Sequence, residues 1–507
     1  MTSYRGLTLC WLLGLTLLHL WMIASGRWAL SADEAHYWEW SRRLDWSYYS
    51  KGPMVAYLIA LSTRVGGNAE FWIRLPAVLL GTATAGLAYC LTRRSFPSER
   101  AAFLCVIILS VMPLYAVGSL LMTIDPPFVF FWGLACLCLS QVPQRRGNLA
   151  WYGAGIAFGL GLLSKYTMLM LLPCVVLWLA NSPRLRHWFG RREPYEALIL
   201  GLLIFSPVIL WNARHEWLSL HHVATQAAGT RPLLAALLGG PEFLGGQVGV
   251  VSPLLFLLLV LGVSWAWREG VRQERDDLLL LVYTSAPVFL FFQVWSFCSK
   301  VQANWAAHAY FTAAVAAAGW ATRWPAGALW QRARHRLNRF LTAAILLPIL
   351  ALPVVFAPSL VEVVGFRLPA ALDLVGKRLA GWPELGRAVG EVMEKAPRSA
   401  FLASDRYQIA SQLAFYVPGN PVAYTANFGR RMNQYDLWGG WEDLLGKDGV
   451  FVLYGTGEPP DELRRAFRSV ERVRAVPIAS HGRHVHEFSV FLGQGFRGFP
   501  PRPFDGF

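Results

Sequence analysis

The chain contains repeated apolar runs of about 20 residues, the length that a helix needs to cross a bilayer core of about 30 Å. Because lipid offers backbone groups no hydrogen-bond partner, runs of this length are expected to be helices. They lie at 7–25, 71–92, 101–118, 124–142, 195–211, 246–266, 278–297, 305–322 and 340–358, with two shorter runs within 149–181 that turn at Lys165. The sequence therefore predicts a polytopic α-helical membrane protein with about eleven transmembrane helices.

Composition supports this class of protein. Hydrophobic residues make up 55% of the 507 residues and charged residues only 15%, which argues against a soluble globular protein. The first run lacks a clean cleavage site and is interpreted as a retained anchor, not a signal peptide. The seven cysteines show neither a disulfide framework nor a metal-ligand spacing. The net charge of +15 comes largely from arginines in short loops, so no nucleic acid partner is expected.

The arginines also predict the orientation of the chain, because short cytoplasmic loops are rich in Lys and Arg. One set of alternate loops holds Arg5, Arg93, Arg94, Arg100, Arg145, Arg146, Arg184, Arg186, Arg191, Arg192, Arg268, Arg272, Arg275, Arg323, Arg332, Arg334, Arg336 and Arg339. With that set in the cytoplasm, the N-terminus is cytoplasmic. Loops 26–70 and 212–245 and everything after residue 360 then lie on the outer face of the membrane.

Two domains are predicted. Residues 1–360 form a transmembrane domain, and residues 375–507 alternate helix-like and strand-like segments, as in a compact α/β domain. In loop 26–70 the aromatic segments 37–40 and 46–49 predict two short helices lying along the membrane surface. In loop 212–245 the apolar piece 233–238 predicts another interfacial element.

Three carboxylates at the predicted outer face are candidates for catalysis: Asp33 and Glu34 after the first span, and Asp125 at the start of the fourth. An ionised group at bilayer depth costs about 2.5–3.5 kcal/mol, so such groups usually have a function. Asp33 is the candidate general base, with Glu34 or Asp125 as a partner that raises its pKa. The competing interpretation is helix capping, with Ser31 as an N-cap and the acidic residues in the first turn.

Outer-face cations could hold a phosphate group. They are Lys51, Lys165, Lys300, Arg74 and Arg231. Sugar transfer from a lipid-phosphate donor requires a base, a cation near the departing phosphate and a water-poor pocket, and the chain offers residues for all three. Snorkelling of the lysines to the interface without a ligand is the alternative.

Four short segments together resemble bacterial GT-C glycosyltransferases, namely the dolichyl-phosphate-mannose-protein mannosyltransferase-like family 39 and the lipid A aminoarabinose transferases. The segments are Asp33-Glu34, the run 49–53 around Lys51, the run 123–125 ending at Asp125, and the run 161–166 containing Lys165. The resemblance covers roughly residues 1–325.

This resemblance implies an enzyme that transfers a sugar, with inversion, from undecaprenyl phosphate or a similar polyprenyl phosphate. The acceptor would be an envelope lipid A, glycan or protein at the periplasmic face. By the same resemblance Asp33 matches the catalytic aspartate, Asp125 the second acidic position, and Lys51 the residue that faces the donor phosphate.

Weaker candidates for contacts with sugar or acceptor are His36, Tyr49, Asn212, Asn304, Trp305, Arg430 and Arg431. No cofactor is expected, and a divalent metal is possible but not favoured. Two other functions remain open. A transporter or flippase of lipid-linked sugar would favour midplane charges and inverted repeats, whereas here the charges cluster at one face. A scaffold whose tail binds partners would need neither the lysines nor the acidic pair.

Overall fold

The computed structural model describes residues 3–144, 147–227, 232–323, 331–356, 378–480, 483–500, 502–504 and 506. The predicted boundary between the two domains, at 360–375, and the predicted phosphate ligand Arg231 lie outside these residues. Helices account for almost all of the ordered elements up to residue 356, as the apolar runs predict.

The helices of this first part follow one another with short connections. They are α1 Tyr4–Ala24, α2 Ala32–Arg42, α3 Met54–Gly66, α4 Glu70–Ser95, α5 Glu99–Val111, α6 Pro113–Gly118, α7 Asp125–Leu139, α8 Gly147–Ser164, α9 Leu171–Asn181, α10 Glu193–Arg214, α11 Leu218–Ala227, α12 Leu233–Val251, α13 Pro253–Arg272, α14 Asp276–Tyr283, α15 Ala286–Trp295, α16 Ala309–Thr322 and α17 Gln331–Phe356. Short 3₁₀ turns lie at Tyr166–Met170, Arg186–Gly190 and Ala303–Ala306.

Within the described ranges, seven helical segments are long and apolar enough to cross a membrane. They are Tyr4–Ala24, Glu70–Ser95, Glu193–Arg214, Leu234–Val251, Pro253–Arg272, Asp276–Trp295 and His335–Val354. The chain is therefore a multi-pass membrane protein. Shorter apolar helices such as Asp125–Leu139 and Met54–Gly66 lie between them, and the predicted number of eleven spans stays a prediction.

The predicted span 246–266 has the wrong bounds. The run 246–266 is divided at Ser252, whose φ of 86° is strained for a residue with a side chain and which precedes Pro253. Residues 233–238, predicted as an interfacial element, instead begin α12, which is long enough to span. Average hydropathy does not register a backbone break inside a continuous apolar stretch, and this is why the prediction failed.

The outer segment 26–70 does contain two short helices, α2 and α3, but not as predicted. The first aromatic segment lies on α2, whereas residues 46–49 are not helical. Trp38 and Trp40 are fully buried in protein, with Trp40 stacked on Tyr48 at 4.3 Å between ring centroids. These aromatic rings therefore form a core beneath the C-terminal part and do not lie in the membrane interface.

The part of the chain after residue 380 folds around a five-stranded sheet. Its elements are α18 Trp382–Lys395, β1 Phe401–Ser404, α19 Tyr407–Tyr416, β2 Ala423–Thr425, α20 Gln434–Trp438, β3 Gly449–Tyr454, α21 Asp461–Ala466, β4 Ser469–Ser480 and β5 Arg483–Gln494. The strand order is β2-β1-β3-β5-β4, with β1 parallel to β2 and β3, and β5 antiparallel to β3 and β4. The α/β prediction is confirmed.

This sheet-containing part docks on α2 through α19. The Phe415 ring meets Trp38 edge-on at 4.9 Å between centroids. The backbone of Leu30 is bound at both polar groups: its N–H donates to the Tyr416 hydroxyl at 2.7 Å, and its C=O accepts from the Gln412 side chain at 2.7 Å. The segment that carries the predicted catalytic residues is therefore covered by, and fixed to, the C-terminal part.

A buried ion pair joins α2 to α4. Glu34 accepts two hydrogen bonds from Arg74, each at 2.9 Å, and one each from the backbone N–H groups of Ser31 and Met122. Arg74 also donates to the C=O groups of residues 28 and 29, and its side chain is only 2% exposed. If α2 moved away from α4, both charges would be left buried without a partner, which is strongly unfavourable. The pair therefore fixes the position of α2.

We expect Arg74→Met to lower the free energy of unfolding by about 3–5 kcal/mol, because Glu34 would stay buried without its counter-charge. The measurement is thermal unfolding of the purified protein in detergent. Arg93→Met is the matched control on the same helix, since the Arg93–Glu99 pair is 35% exposed on both sides and contributes about 0–1 kcal/mol. Equal losses in the two variants would contradict a structural role of the Glu34–Arg74 pair.

Candidate functional site

The adjacent acidic residues of α2 face different surroundings. Ser31 and Glu34 form a reciprocal capping box that begins the helix, so Glu34 points inward to Arg74. Asp33 precedes it by about 100° around the helix and remains exposed to solvent. Protein nevertheless surrounds the Asp33 carboxyl group closely enough for desolvation to raise its pKa, while Lys51 and Arg378 act in the opposite direction.

Asp125, the first residue of α7, lies at the centre of a second charged group. Its Oδ1 accepts from the Lys165 ammonium at 2.7 Å, and its Oδ2 accepts from the Asn304 side-chain amide at 2.7 Å. The side chains of Lys165 and Asp125 are 9% and 18% exposed, so the pair is largely withdrawn from water. Lys165 reaches this position because α8 ends at Ser164 and the backbone of Lys165 is extended.

Lys51 is close enough to both groups to interact with their charges. The charges of Lys165, Asp125 and Asp33 all act on it, which places these four residues in one cluster. Burial, which is the largest effect, and the neighbouring Lys165 together lower the pKa of Lys51 to about 8, although Asp125 and Asp33 act in the opposite direction. Among the residues that the structure describes, no carboxylate oxygen lies within 4.0 Å of the Lys51 ammonium. The Lys51 amine is therefore half-buried, cationic near neutral pH and without an ion pair.

Close packing at Gly52 brings this loop to the end of α8. A Cβ atom on Gly52 would lie 2.1 Å from the carbonyl oxygen of Leu163, so any larger residue would force the loop away. Because Leu163 is two residues before Lys165, this contact sets the spacing between the two lysines. Glycine is required here by the approach of two backbones.

Three further residues of this neighbourhood escaped the sequence prediction. Tyr37 lies one helical turn after Asp33. Burial is the main cause of its raised pKa, and the charges of Asp33 and Asp125 add to this effect. The ring of Tyr407, at the start of α19, lies 4.7 Å from that of His36 with a tilt of 42°. Burial raises the pKa of Tyr407, and the charge of Asp33 adds to this effect. Arg378 adds a positive charge near Asp33, and the following residue accepts a hydrogen bond from Ala29 at 3.1 Å. Only the docking of the C-terminal part brings the last two near α2.

Several predicted site residues lie in other surroundings. Glu34 and Arg74 bind each other, as described above. Asn212 connects α10 to α11 by accepting from the Ser219 N–H and donating to the Val208 C=O. Arg430 pairs with Asp436 at 2.8 Å. These side chains use their polar atoms within the fold, so we expect structural roles for them.

The remaining weak candidates divide into buried aromatic residues and exposed residues. His36 is buried, accepts from the Trp40 indole at 3.1 Å and stacks on Tyr435. Tyr49 is 3% exposed and its ring packs against His222. Trp305 is half-buried beside Phe292, and Arg431 and Lys300 are exposed. In the described part of the chain no group of three or more His, Cys, Asp or Glu side chains could hold a metal ion.

Comparison with known proteins identifies the family. Residues 50–211 match the family described as dolichyl-phosphate-mannose-protein mannosyltransferase. The lipid A galacturonosyltransferase RgtD of Rhizobium johnstonii is 30% identical over 402 residues, which cover 78% of this chain and 80% of that protein. The undecaprenyl phosphate-alpha-4-amino-4-deoxy-L-arabinose arabinosyl transferase of Erwinia tasmaniensis is 28% identical over 291 residues, 53% of this chain and 48% of the relative.

The fold is also that of a solved structure. The crystal structure of ArnT from Cupriavidus metallidurans in the apo state superposes with a TM-score of 0.63 at 15% identity, over 96% of this chain and 98% of ArnT. The same protein bound to undecaprenyl phosphate gives a TM-score of 0.61 at 16% identity, with the same coverage. The predicted GT-C fold is confirmed.

A multi-pass helical membrane protein with this fold and these relatives is a glycosyltransferase. More specifically, the chain belongs to the GT-C family that contains the R. johnstonii galacturonosyltransferase RgtD. The predictions of family and enzyme class are confirmed, and the transporter and scaffold interpretations are set aside.

The low pKa of Lys51 has a testable consequence. An amine reacts with acylating reagents only when neutral, so we expect the labelling rate of Lys51 to rise with pH and level off above about pH 8. An ordinary lysine gains reactivity up to about pH 10. The measurement is mass spectrometry of peptides after brief acylation in detergent at a series of pH values, with exposed Lys447 as the reference. A profile for Lys51 that rises to pH 10 would contradict the desolvated environment.

Proposed function

We propose that the enzyme transfers a sugar from undecaprenyl phosphate, or a polyprenyl phosphate like it, to lipid A, with inversion at the sugar. The observation that carries the proposal is the charged cluster of Asp33, Lys51, Asp125 and Lys165, in which one carboxylate is exposed and one cation lacks an ion pair. The names of the relatives support the substrates, because RgtD acts on lipid A and ArnT has been crystallised with undecaprenyl phosphate.

Asp33 is the general base in this proposal. It accepts the proton of an acceptor hydroxyl group, whose oxygen forms the new bond to the anomeric carbon of the sugar. The bond from that carbon to the phosphate oxygen breaks, and the phosphate leaves with the electron pair. The raised pKa of Asp33 supports this role, because a base works best when its pKa is nearer to the working pH than that of an ordinary carboxylate.

Lys51 binds the donor phosphate and stabilises the charge that grows on it as the bond breaks. Its lack of an ion pair among the described residues leaves the ammonium group available to an anion. Lys165 contributes a second positive charge, but Asp125 holds it in place. Lys51 is therefore available to bind the donor phosphate, whereas Lys165 is held in a fixed position by Asp125.

We further propose that the site opens to the periplasm at the inner membrane. Residues 1–360 would form the transmembrane catalytic domain, with a cytoplasmic N-terminus, and residues 375–507 a periplasmic α/β domain. The arginine-rich loops support this orientation. The docking of α19 on α2 also supports it, because the sheet must lie on the same side of the membrane as Asp33.

Loss of the base should separate chemistry from binding. We expect Asp33→Asn to lower kcat by about 10²–10⁴-fold, the usual contribution of a general base, while undecaprenyl phosphate still binds. The assay supplies lipid A with polyprenyl-phosphate-linked galacturonic acid or 4-amino-4-deoxy-L-arabinose, and mass spectrometry detects the product. Normal kcat in Asp33→Asn would remove Asp33 from the mechanism. Absence of transfer by the wild-type protein from either donor would contradict the proposed substrates.

Loss of the phosphate ligand should act on binding. We expect Lys51→Met to abolish the complex with undecaprenyl phosphate in native mass spectra, because the only unpaired cation of the four-residue cluster is removed. Affinity in the wild type should also fall as the pH rises above about 8, and Lys51→Arg should abolish this pH dependence. The matched control is Lys300→Met, an exposed lysine outside the cluster. Equal binding by the Lys51→Met and Lys300→Met variants would contradict the assignment.

Orientation can be tested by labelling a cysteine from outside. In a Cys298→Ser background, which removes an exposed native thiol, we expect Lys447→Cys to react with a membrane-impermeant maleimide in intact spheroplasts. Arg268→Cys, on the predicted cytoplasmic side, should react only after lysis. The reverse pattern would invert the proposed topology.

A further inference from the structure

A glutamine buried in a membrane-spanning helix binds both ends of the segment that carries Asn304. Gln247 on α12 is fully buried, which is unusual for an amide side chain at membrane depth and points to a role. Its Nε2 donates to the C=O of Ala303 at 3.0 Å, and its Oε1 accepts from the hydroxyl group of Tyr310 at 2.5 Å. Both polar atoms of the side chain are therefore used, and both partners belong to residues 303–310.

Asn304 lies inside the segment that Gln247 holds. It occupies the 3₁₀ turn Ala303–Ala306, directly after the carbonyl group that Gln247 binds. The hydroxyl group of Tyr115 binds the C=O of Ala307 at 3.1 Å, so side chains from two other helices support this turn. A 3₁₀ turn has poorer internal hydrogen bonds than an α-helix, and external partners are what fix its geometry.

The orientation of Asn304 decides how Asp125 meets Lys165. With Oδ2 of Asp125 occupied by the Asn304 amide, only Oδ1 remains for Lys165, and the lysine is held by a single short contact of 2.7 Å. If Asn304 moved, the carboxylate would be free to rotate, and the fixed position of Lys165 beside Lys51 would be lost. Asp125 also acts on Asp33 and Lys51 electrostatically, so a rotation of its carboxylate would change the electrostatic environment of both residues.

We propose that Gln247 is a positioning residue for the transfer reaction: it holds the 303–310 segment so that Asn304 orients Asp125 and thereby fixes Lys165. This inference rests on the proposed function of the same cluster. Both polar atoms of Gln247 bind partners outside the cluster, so its effect on the cluster passes through Asn304.

The central variant is Gln247→Met, which keeps the size and flexibility of the side chain and removes both hydrogen bonds. We expect kcat to fall between about tenfold and a hundredfold, because small displacements of a catalytic group have effects of this size. The KM for the polyprenyl-phosphate donor should change little, since Lys51 is untouched. Tyr310→Phe removes only the hydrogen bond from the Tyr310 hydroxyl group to Gln247 and should give a smaller loss in kcat. This second variant preserves the test if Gln247→Met does not fold.

The chain offers a matched control. Gln293 on α15 also donates its side-chain amide to a backbone carbonyl, that of Gly240, at 3.1 Å, but neither partner belongs to residues 303–310. Gln293→Met therefore removes the same kind of bond from the same part of the protein. We expect it to lower thermal stability without changing kcat. A similar loss of kcat in both variants would overturn the proposal in favour of a general effect on stability.

A double variant tests the route through Asn304. In an Asn304→Ala background, Gln247→Met should cause little further loss of kcat, because the residue through which it acts is already gone. If the fold-loss of kcat in the double variant equals the product of the losses in the two single variants, Gln247 acts independently of Asn304, and the proposal is overturned.

Acylation of Lys165 gives a readout that does not require activity. In Gln247→Met we expect Lys165 to be labelled faster than in the wild type, because its carboxylate partner is no longer held, whereas Gln293→Met should leave the rate unchanged. Unchanged labelling in Gln247→Met would overturn the inference. Faster labelling in a protein whose wild type transfers neither sugar would support the positioning role and contradict the proposed substrates, so the two failures are distinguishable.

Discussion

The carboxylate of Asp125 joins three segments that are far apart in the sequence. Its own residue begins α7, Lys165 follows the end of α8, and Asn304 lies in the turn before α16. In a poorly solvated site neither charge is stable alone, so the pair requires that the start of α7 and the end of α8 lie at the same level. The close packing of α8 between α7 and α10 achieves this, and the glycines at 155 and 159 allow α10 to approach. The helical bundle thus places a lysine where a loop alone would not hold it.

The acidic pair on α2 shows how two identical charges acquire different roles. Successive residues of a helix point about 100° apart, so Glu34 and Asp33 cannot face the same surroundings. Glu34 accepts four hydrogen bonds and is buried, which fixes the helix against α4. Asp33 is left facing the cluster with a raised pKa. The capping and functional interpretations of the pair therefore coexist, one for each residue.

Much of this arrangement could be predicted, and the reasons are physical. Asp33, Asp125, Lys51 and Lys165 stand out because charges are costly beside apolar spans, and the structure brings these four together. Gln247, Tyr407 and Arg378 could not be found in this way: an uncharged amide stands out less in an apolar run than a charged group does, and the other two reach α2 only through the docking of the C-terminal part. Strand β4 is hard to predict from sequence because its residues 471–474 are mostly charged and it contains Pro477, both of which are tolerated at the edge of a sheet.

The charges of the cluster also explain why a phosphate donor would suit it. The two lysines of the cluster and the neighbouring Arg378 supply one more positive charge than Asp33 and Asp125 can balance. Lys165 is paired with Asp125, whereas Lys51 has no ion pair among the described residues. The lowered pKa of Lys51 reflects the cost of keeping its ammonium group desolvated beside another cation. A phosphodiester would remove this cost and raise the pKa of Lys51 again. The binding of an anion and the protonation of Lys51 are therefore coupled, and the donor would complete the electrostatics of a site that the protein alone leaves unbalanced.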